Sequence, residues 1–369
     1  MLIKNAKVLI GKTFIKTDVA FEKTITSIGK MDQETVLDGK NCYVVPGLVD
    51  IHTHGAMGGD FSDGKPEDLP SMADYYAAHG VTSYLATTMT LKEEALAPAM
   101  RAIRDFKPAS GAKCAGIHLE GPFLSYAKRG AQAAENLHKP DAALFHRLNE
   151  AGGGMVKMVT VACEEDGAIP FIREVSRVCT VSLGHTAADY DTAMAGFAAG
   201  ASHITHLYNG MPPFLHRAPG VIGAAFDAGA NVELICDGLH IHPAAVRATH
   251  QLFGDKLNLI SDSLRCAGMP DGSYELGGQP IVKRDGRATL PDGTLAGSTI
   301  SLLDAVRNAV RFGLPLASAV YAASTAPAVA VGLNAGILRE GRPADLLVLD
   351  ENLALKAVFV DGKEQSICS

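Results

Sequence analysis

The sequence predicts an α/β protein, a (β/α)8 TIM-like barrel with a small β-sandwich domain built from both chain ends. Three observations carry this. The middle of the chain holds eight strand-sized apolar runs alternating with Ala-rich helical stretches. Both ends hold only short strand patterns and turn residues. The first strand of the middle ends in His52-Thr53-His54-Gly55, where a doubly wound open sheet would place a glycine-rich phosphate loop.

At the N-terminal end, strand patterns cover 2–10, 14–22 and 24–28, with turn residues such as Gly11-Lys12 and Asp38-Gly39 between runs. From about Gly336 the character returns, with strand patterns at 345–349 and 357–360 and Asp361-Gly362 as a hairpin turn. Neither end has residues enough for a core of its own, so residues 1–43 and 336–369 are expected to pair into one β domain, with 44–335 inserted as the barrel. The barrel strands are expected at 44–51, 83–87, 115–119, 156–161, 180–183, 202–205, 231–235 and 257–260. Helical stretches at 69–79, 92–106, 141–151, 188–199 and 243–253 lie between them, and several end in glycine (Gly80, Gly152, Gly200, Gly254), which tolerates a left-handed C-cap.

The 369 residues are enough for a barrel plus an appendage, and 47% hydrophobic with 20% charged residues describes a globular chain with a core. A net charge of −7 argues against a nucleic-acid partner and requires local groups to hold any anionic ligand. The longest apolar runs are strand-sized, so no membrane span is expected. The N-terminus lacks the order of a signal peptide, and seven scattered cysteines without a C-x-x-C pair fit reduced thiols in the cytoplasm. Cys266 reads as a buried free thiol.

Barrel sites form at the C-terminal ends of the strands. Those positions hold His52 and His54 after the first strand, Glu120 after the third, His185 after the fifth and His206 after the sixth. His240 follows a few residues past the seventh, and Asp262 comes after the eighth. Alone, the H-x-H pair fits ordinary polar residues at a strand exit as well as it fits ligands. The recurrence of imidazole and carboxylate at the other exits favours a metal site, and this ligand set suits Zn2+ or Fe2+ better than Mg2+.

The strings His118-Leu119-Glu120-Gly121-Pro122-Phe123, Gly184-His185-Thr186, Thr205-His206-Leu207-Tyr208-Asn209, Asp237-Gly238-Leu239-His240 and Ser261-Asp262, with His52-x-His54, resemble the amidohydrolase superfamily. More closely they resemble its N-acetylglucosamine-6-phosphate deacetylase family, nearly end to end. Many superfamily members bridge two metals with a carboxylated lysine on strand four. Here Lys157 stands near the start of that strand, which leaves Glu120 as the better ligand.

The resemblance implies a metal-dependent amide hydrolase. Glu120, His185 and His206 would hold the principal divalent ion, and Asp262 would be the acid/base. His52 and His54, with the second oxygen of Glu120, would form a second metal site or orient water and Asp262, giving one or two ions per subunit. Asn209, Gly210, Arg217 and Asp237–His240 (Asp237, Gly238, Leu239, His240) would contact an amino-sugar phosphate, and Ala131 with Leu295, Ala296 and Gly297 would offer backbone to the sugar. Gln132 stands where some members have a histidine that bonds the acetamide carbonyl; its amide donates but carries no charge. The substrate is expected to be N-acetyl-D-glucosamine 6-phosphate, with N-acetylgalactosamine 6-phosphate or another N-acyl compound as the alternative, and a homodimer is expected. A non-catalytic barrel is disfavoured because the ligands and Asp262 are all present. Of the other histidines, His118 faces the same side as Glu120 and fits a support for the ligands as well as a packed core residue, His203 fits a structural role, and His216 fits a loop residue or, less well, a neighbour of the phosphate.

Overall fold

A computed structural model of the chain describes residues 1–32 and 37–367. Eight parallel strands form the barrel: Leu48–Thr53 (β1), Val81–Thr88 (β2), Lys113–Glu120 (β3), Val156–Val161 (β4), Thr180–Leu183 (β5), His203–Ile204 (β6), Asn231–Ile235 (β7) and Leu257–Ile260 (β8). Each pairs with the next in chain order. The seam between β8 and β1 is joined at the end of β1 and just past β8, where Asp262 N–H donates to His52 O at 2.9 Å and His54 N–H to Ser263 O at 2.8 Å.

The expected strand 44–51 is two strands. Tyr43–Pro46 belongs to the small β domain, and β1 starts at Leu48. The chain changes sheets at Gly47, where a side chain would overlap Thr82. A continuous apolar run gives no sign of this change, because both sheets want the same residue types.

Helices cover the barrel from outside and bury apolar faces on it. Asp141 caps the helix Ala142–Ala151 by accepting from the backbone of Ala143 and Leu144, and Ser301 with Asp304 forms a capping box on Leu302–Arg311. Inside the lower barrel, Val49, Ile51, Leu85, Met158 and Ile260 pack with Ala328 and Val331 at the end of the short helix Thr325–Ala330. A three-stranded antiparallel insert, Gly272–Leu276, Gln279–Arg284 and Arg287–Thr289, follows β8 and packs on Met89 and Leu264.

Both chain ends share one sheet, in which Tyr43–Pro46 joins Leu2–Ile10 to Leu346–Leu349. Phe21 and Phe359 lie on strands separated by three others in that sheet, yet their rings meet edge-on at 5.0 Å. The sheet therefore folds over its own core of Ile3, Val8, Val19, Leu346 and Val348. Lys113, at the start of β3, ties this domain to the barrel through Asp345 at 2.7 Å and Asp361 at 2.9 Å.

Candidate active site

The site begins with a backbone irregularity. Val49 and Ile51 face into the barrel, so strict alternation would turn His52 and His54 outward. Between Asp50 and Thr53 the register with β2 shifts: residues 50 to 53 oppose only 84 to 86. The extra residue is a bulge, which re-aims the side chains beyond it. Thr53 now points outward to the Tyr76 hydroxyl at 2.9 Å, and both imidazoles point inward.

They meet Glu120 from β3. Its Oε1 lies 3.0 Å from His206 Nε2, 3.3 Å from His185 Nε2 and 3.4 Å from His52 Nε2, while Oε2 lies 3.3 Å from His54 Nε2. Asp262 Oδ1 stands 3.5 Å from His52 Nε2 and 3.3 Å from His54 Nε2. His185 donates from Nδ1 to Lys128 O at 2.8 Å, and His52 from Nδ1 to Glu233 Oε2 at 2.8 Å. In both rings this leaves the Nε2 lone pair facing the cluster.

Three of these residues hold left-handed backbone: His185 at φ 45°, His206 at φ 29° and Asp262 at φ 49°. Non-glycine residues rarely adopt this region, and such strain persists where the surroundings enforce it. Here Ser125 N–H donates to His185 O at 2.9 Å, and His206 N–H donates to Glu233 Oε2 at 3.0 Å. Ser298 N–H holds Asp262 O at 2.6 Å. Gly297 permits that last approach, since a Cβ there would press on Asp262 O and Leu264.

Burial alone would raise the Glu120 carboxyl, but the field of His52 and hydrogen bonds with His185 and His206 hold it well below the usual range. Burial likewise raises Asp262, and His52 and His54 overcome it, leaving the group lowered. Burial pushes His54 down, whereas hydrogen bonds with Asp262 and Glu120 lift it to about 9. The carboxylates thus draw positive charge to the point where the Nε2 atoms converge. His185 Nε2 and His206 Nε2 are only 3.1 Å apart, with Glu120 Oε1 within 3.3 Å of both, so one cation among them would be held by all three. Glu120 with His185 and His206, and Glu120 with His52 and His54, each place their ligand atoms within 4.8 Å of one another. The donor set fits a divalent ion at either triad.

A cavity of about 260 Å³ opens over the cluster. Ligand pockets usually run from about 300 Å³ upward, so this one sits at the small end of that range and suits a small molecule rather than an extended one. Of the expected residues, Ala131, Gln132, Asn209, Gly210, His240, Leu295, Ala296 and Gly297 line it. The Gln132 amide is engaged at both ends, donating to Glu120 Oε2 at 2.6 Å and accepting from Thr90 N–H at 2.8 Å. Asp237 lies beside His240 and accepts from its Nδ1 at 2.6 Å and from the backbone of Leu239 and His240 at 2.8 Å. Gly238 and Leu239 complete that turn without lining the cavity, and Leu239 is exposed. Arg217 is exposed as well, and lines a separate cleft with Tyr190, Pro212 and Asp227.

Sequence reasoning missed Glu233, the Lys128 carbonyl and the apolar wall of Met89, Leu264 and Leu276. Glu233 had a signal, being a carboxyl in the middle of a buried apolar strand. The carbonyl and the wall had none. His118 and His203 are buried side chains in polar contact with Thr160 at 2.8 Å and Ser182 at 3.1 Å, and burial lowers both, which keeps them neutral.

A barrel with histidine and carboxylate ligands at its strand exits defines a metal-dependent hydrolase class, and the amidohydrolase family profile matches residues 43–365. The chain belongs to the amidohydrolase family. Within it, the chain is 43% identical over 277 residues to the N-acetylglucosamine-6-phosphate deacetylase of Bacillus subtilis (strain 168), covering 73% of this chain and 70% of the relative. It is 36% identical to the N-acetylgalactosamine-6-phosphate deacetylase of Escherichia coli O157:H7, with 86% of each covered. A mutant N-acetyl-D-glucosamine-6-phosphate deacetylase from Mycobacterium smegmatis, solved in complex with N-acetyl-D-glucosamine-6-phosphate, superposes with a TM-score of 0.95 at 35% identity, covering 100% of this chain and 99% of that one.

Proposed function

We propose that the chain is a metal-dependent deacetylase that hydrolyses N-acetyl-D-glucosamine 6-phosphate to D-glucosamine 6-phosphate and acetate. The observation that carries this is the convergence of His185 Nε2, His206 Nε2 and Glu120 Oε1 beside the Asp262 carboxylate, on the floor of a small cavity. Glu120, His185 and His206 would hold the principal ion, with His52 and His54 available to a second, and Zn2+ or Fe2+ suits these donors. A divalent ion bound there supplies Lewis acidity, acidifying water and polarising a carbonyl.

The chain's own residues move the protons. Asp262 accepts a proton from the water whose oxygen adds to the acetyl carbon. As the C–N bond breaks, it returns that proton to the nitrogen, so the sugar leaves as an amine rather than an anion. The lowered acidity range of Asp262 keeps it ionised and ready to accept. Asn209, Gly210, His240 and the Leu295–Gly297 backbone shape the sugar side of the cavity. Arg217 and the Asp237–His240 turn are assigned to the phosphate, Arg217 on the resemblance alone.

We also take 1–43 with 336–369 as one β domain that extends through the strand Tyr43–Pro46, the remainder of 44–335 as the hydrolase barrel, and the protein as a cytoplasmic homodimer. No helix among the described residues is long and apolar enough to cross a membrane; light scattering at micromolar concentration tests the dimer, and a monomer mass refutes it.

The deciding experiment measures acetate release from a panel of N-acetyl sugars, each with and without the 6-phosphate, on metal-analysed protein. N-acetylglucosamine 6-phosphate is expected to give the highest kcat/KM. The Escherichia coli relative favours a second reading, and faster turnover of N-acetylgalactosamine 6-phosphate would select it. No acetate from any sugar would end both.

A further inference from the structure

We infer that Glu233 is a positioning residue that joins the two ligand groups, aiming the His52 imidazole at one and fixing the backbone of His206 in the other. The inference rests on the two-ion reading above. Glu233 projects from the middle of β7 with its side chain wholly inaccessible to solvent. A carboxyl in such a place is costly unless its partners hold it. Its Oε2 accepts from His52 Nδ1 at 2.8 Å and from His206 N–H at 3.0 Å. His203 Nδ1 stands farther off, 4.0 Å from Oε1, and Oε1 accepts no hydrogen bond among the described residues.

Each of the two short contacts does a distinct job. His52 can offer Nε2 as a ligand only when its proton sits on Nδ1, and Glu233 is the acceptor that keeps it there. His206 reaches Glu120 at 3.0 Å from a backbone at φ 29°, and the Glu233 bond to its N–H holds that strained residue. One oxygen on β7 therefore fixes a side chain from β1 and a main-chain conformation after β6. A carboxylate opposite a ligating imidazole also makes the ring a stronger donor to a cation.

The test is a Co2+ titration of metal-free full-length protein, followed by visible absorbance and by equilibrium dialysis with metal analysis. Wild type is expected to take up two ions in two steps. Glu233→Gln keeps an oxygen acceptor but lowers its charge, and is expected to weaken the second ion by about 10–100-fold, with a smaller change in the first. Glu233→Ala removes both contacts and is expected to weaken both steps. A purely structural role would lower Tm while leaving the two Co2+ affinities alone. Should either variant lose the fold, Glu233→Asp, which keeps the charge and withdraws it by one methylene, carries the same expectation of a weakened second ion. Two steps in wild type with unchanged affinities in the folded variants would overturn the role of Glu233 and leave the two-ion reading intact. One step in wild type would overturn both.

Discussion

The same eight strands build two unlike halves of one barrel. Below, Val49, Leu85, Met158 and Ile260 fill the interior with apolar volume and are sealed by Ala328 and Val331. Above, Glu120, His52, His54, His185, His206 and Asp262 crowd polar atoms to within 3.0–3.5 Å, three of them on left-handed backbone. The change occurs within a few residues: Ile51 precedes His52, and Ile260 comes two residues before Asp262. The lower half lowers free energy by burial; the upper half holds strained and desolvated groups that only the packed lower half makes tenable. Damage to the upper half should remove activity and spare the fold, and damage to the lower half should do the reverse.

Removal of metal is the largest expected effect. Chelation should abolish acetate release, and Zn2+, Fe2+, Co2+ or Mn2+ should restore it in some order. Full turnover by protein shown to be metal-free would contradict the assignment of the upper half. Next comes Asp262→Asn, which is nearly isosteric. Its kcat should fall by about 10²–10⁴-fold, the usual worth of a general acid–base group, with KM and Tm little changed. A loss below about tenfold, roughly 1.4 kcal/mol, would remove Asp262 from proton transfer.

The matching break in the lower half is Met158→Ala. Met158 is fully buried among the interior apolar residues, so the truncation should cost about 2–5 kcal/mol of stability. The kcat of the folded protein should stay near wild type. A stable variant with low kcat would show that the halves are not separable in this way.

How much of this was legible in the sequence depends on what each residue has as its neighbours in the chain. The ligands could be read because each is a residue of a definite chemical type at or just past the end of an expected strand, as at Glu120 after 115–119. The β7 strand could be read, but the partners of Glu233 could not, since His52 and His206 lie far away in sequence. The bulge at 50–53 has no residue signature, yet it decides that the H-x-H pair faces inward. Likewise 44–51 is one apolar run in sequence and two strands in two sheets. Arg217 matches a motif, but a motif does not say which cleft a loop residue enters.

Arg217 offers a smaller test at the rim of the upper half. If it contacts the phosphate, Arg217→Ala should raise KM about tenfold for the 6-phosphorylated sugar, the worth of about 1.4 kcal/mol. The unphosphorylated sugar should be almost unaffected. Equal KM changes on both sugars would remove Arg217 from phosphate recognition and leave His240, which lines the cavity, as the nearer candidate.

The smallest expected effect is a pH dependence of stability from Asp237 and His240, the polar pair beside the cavity. Burial pushes the His240 imidazole down, but the hydrogen bond and charge of Asp237 outweigh it, so its value is raised. Burial pushes the Asp237 carboxyl up, and the hydrogen bond and charge of His240 outweigh that, so its value is lowered. A raised imidazole contributes stability that is full below the unfolded value of about 6.5 and is lost as pH rises through the folded value. A lowered carboxyl contributes stability present above its unfolded value of about 3.9 and lost as pH falls through the folded one. The pair is therefore worth most between roughly pH 4 and 6.5, and its contribution should shrink on the alkaline side. Tm measured from pH 5 to 9 for wild type and His240→Gln should show a wild-type advantage near pH 6 that narrows toward pH 9. A difference that stays constant across that range would show that His240 does not carry its charge through the Asp237 contact.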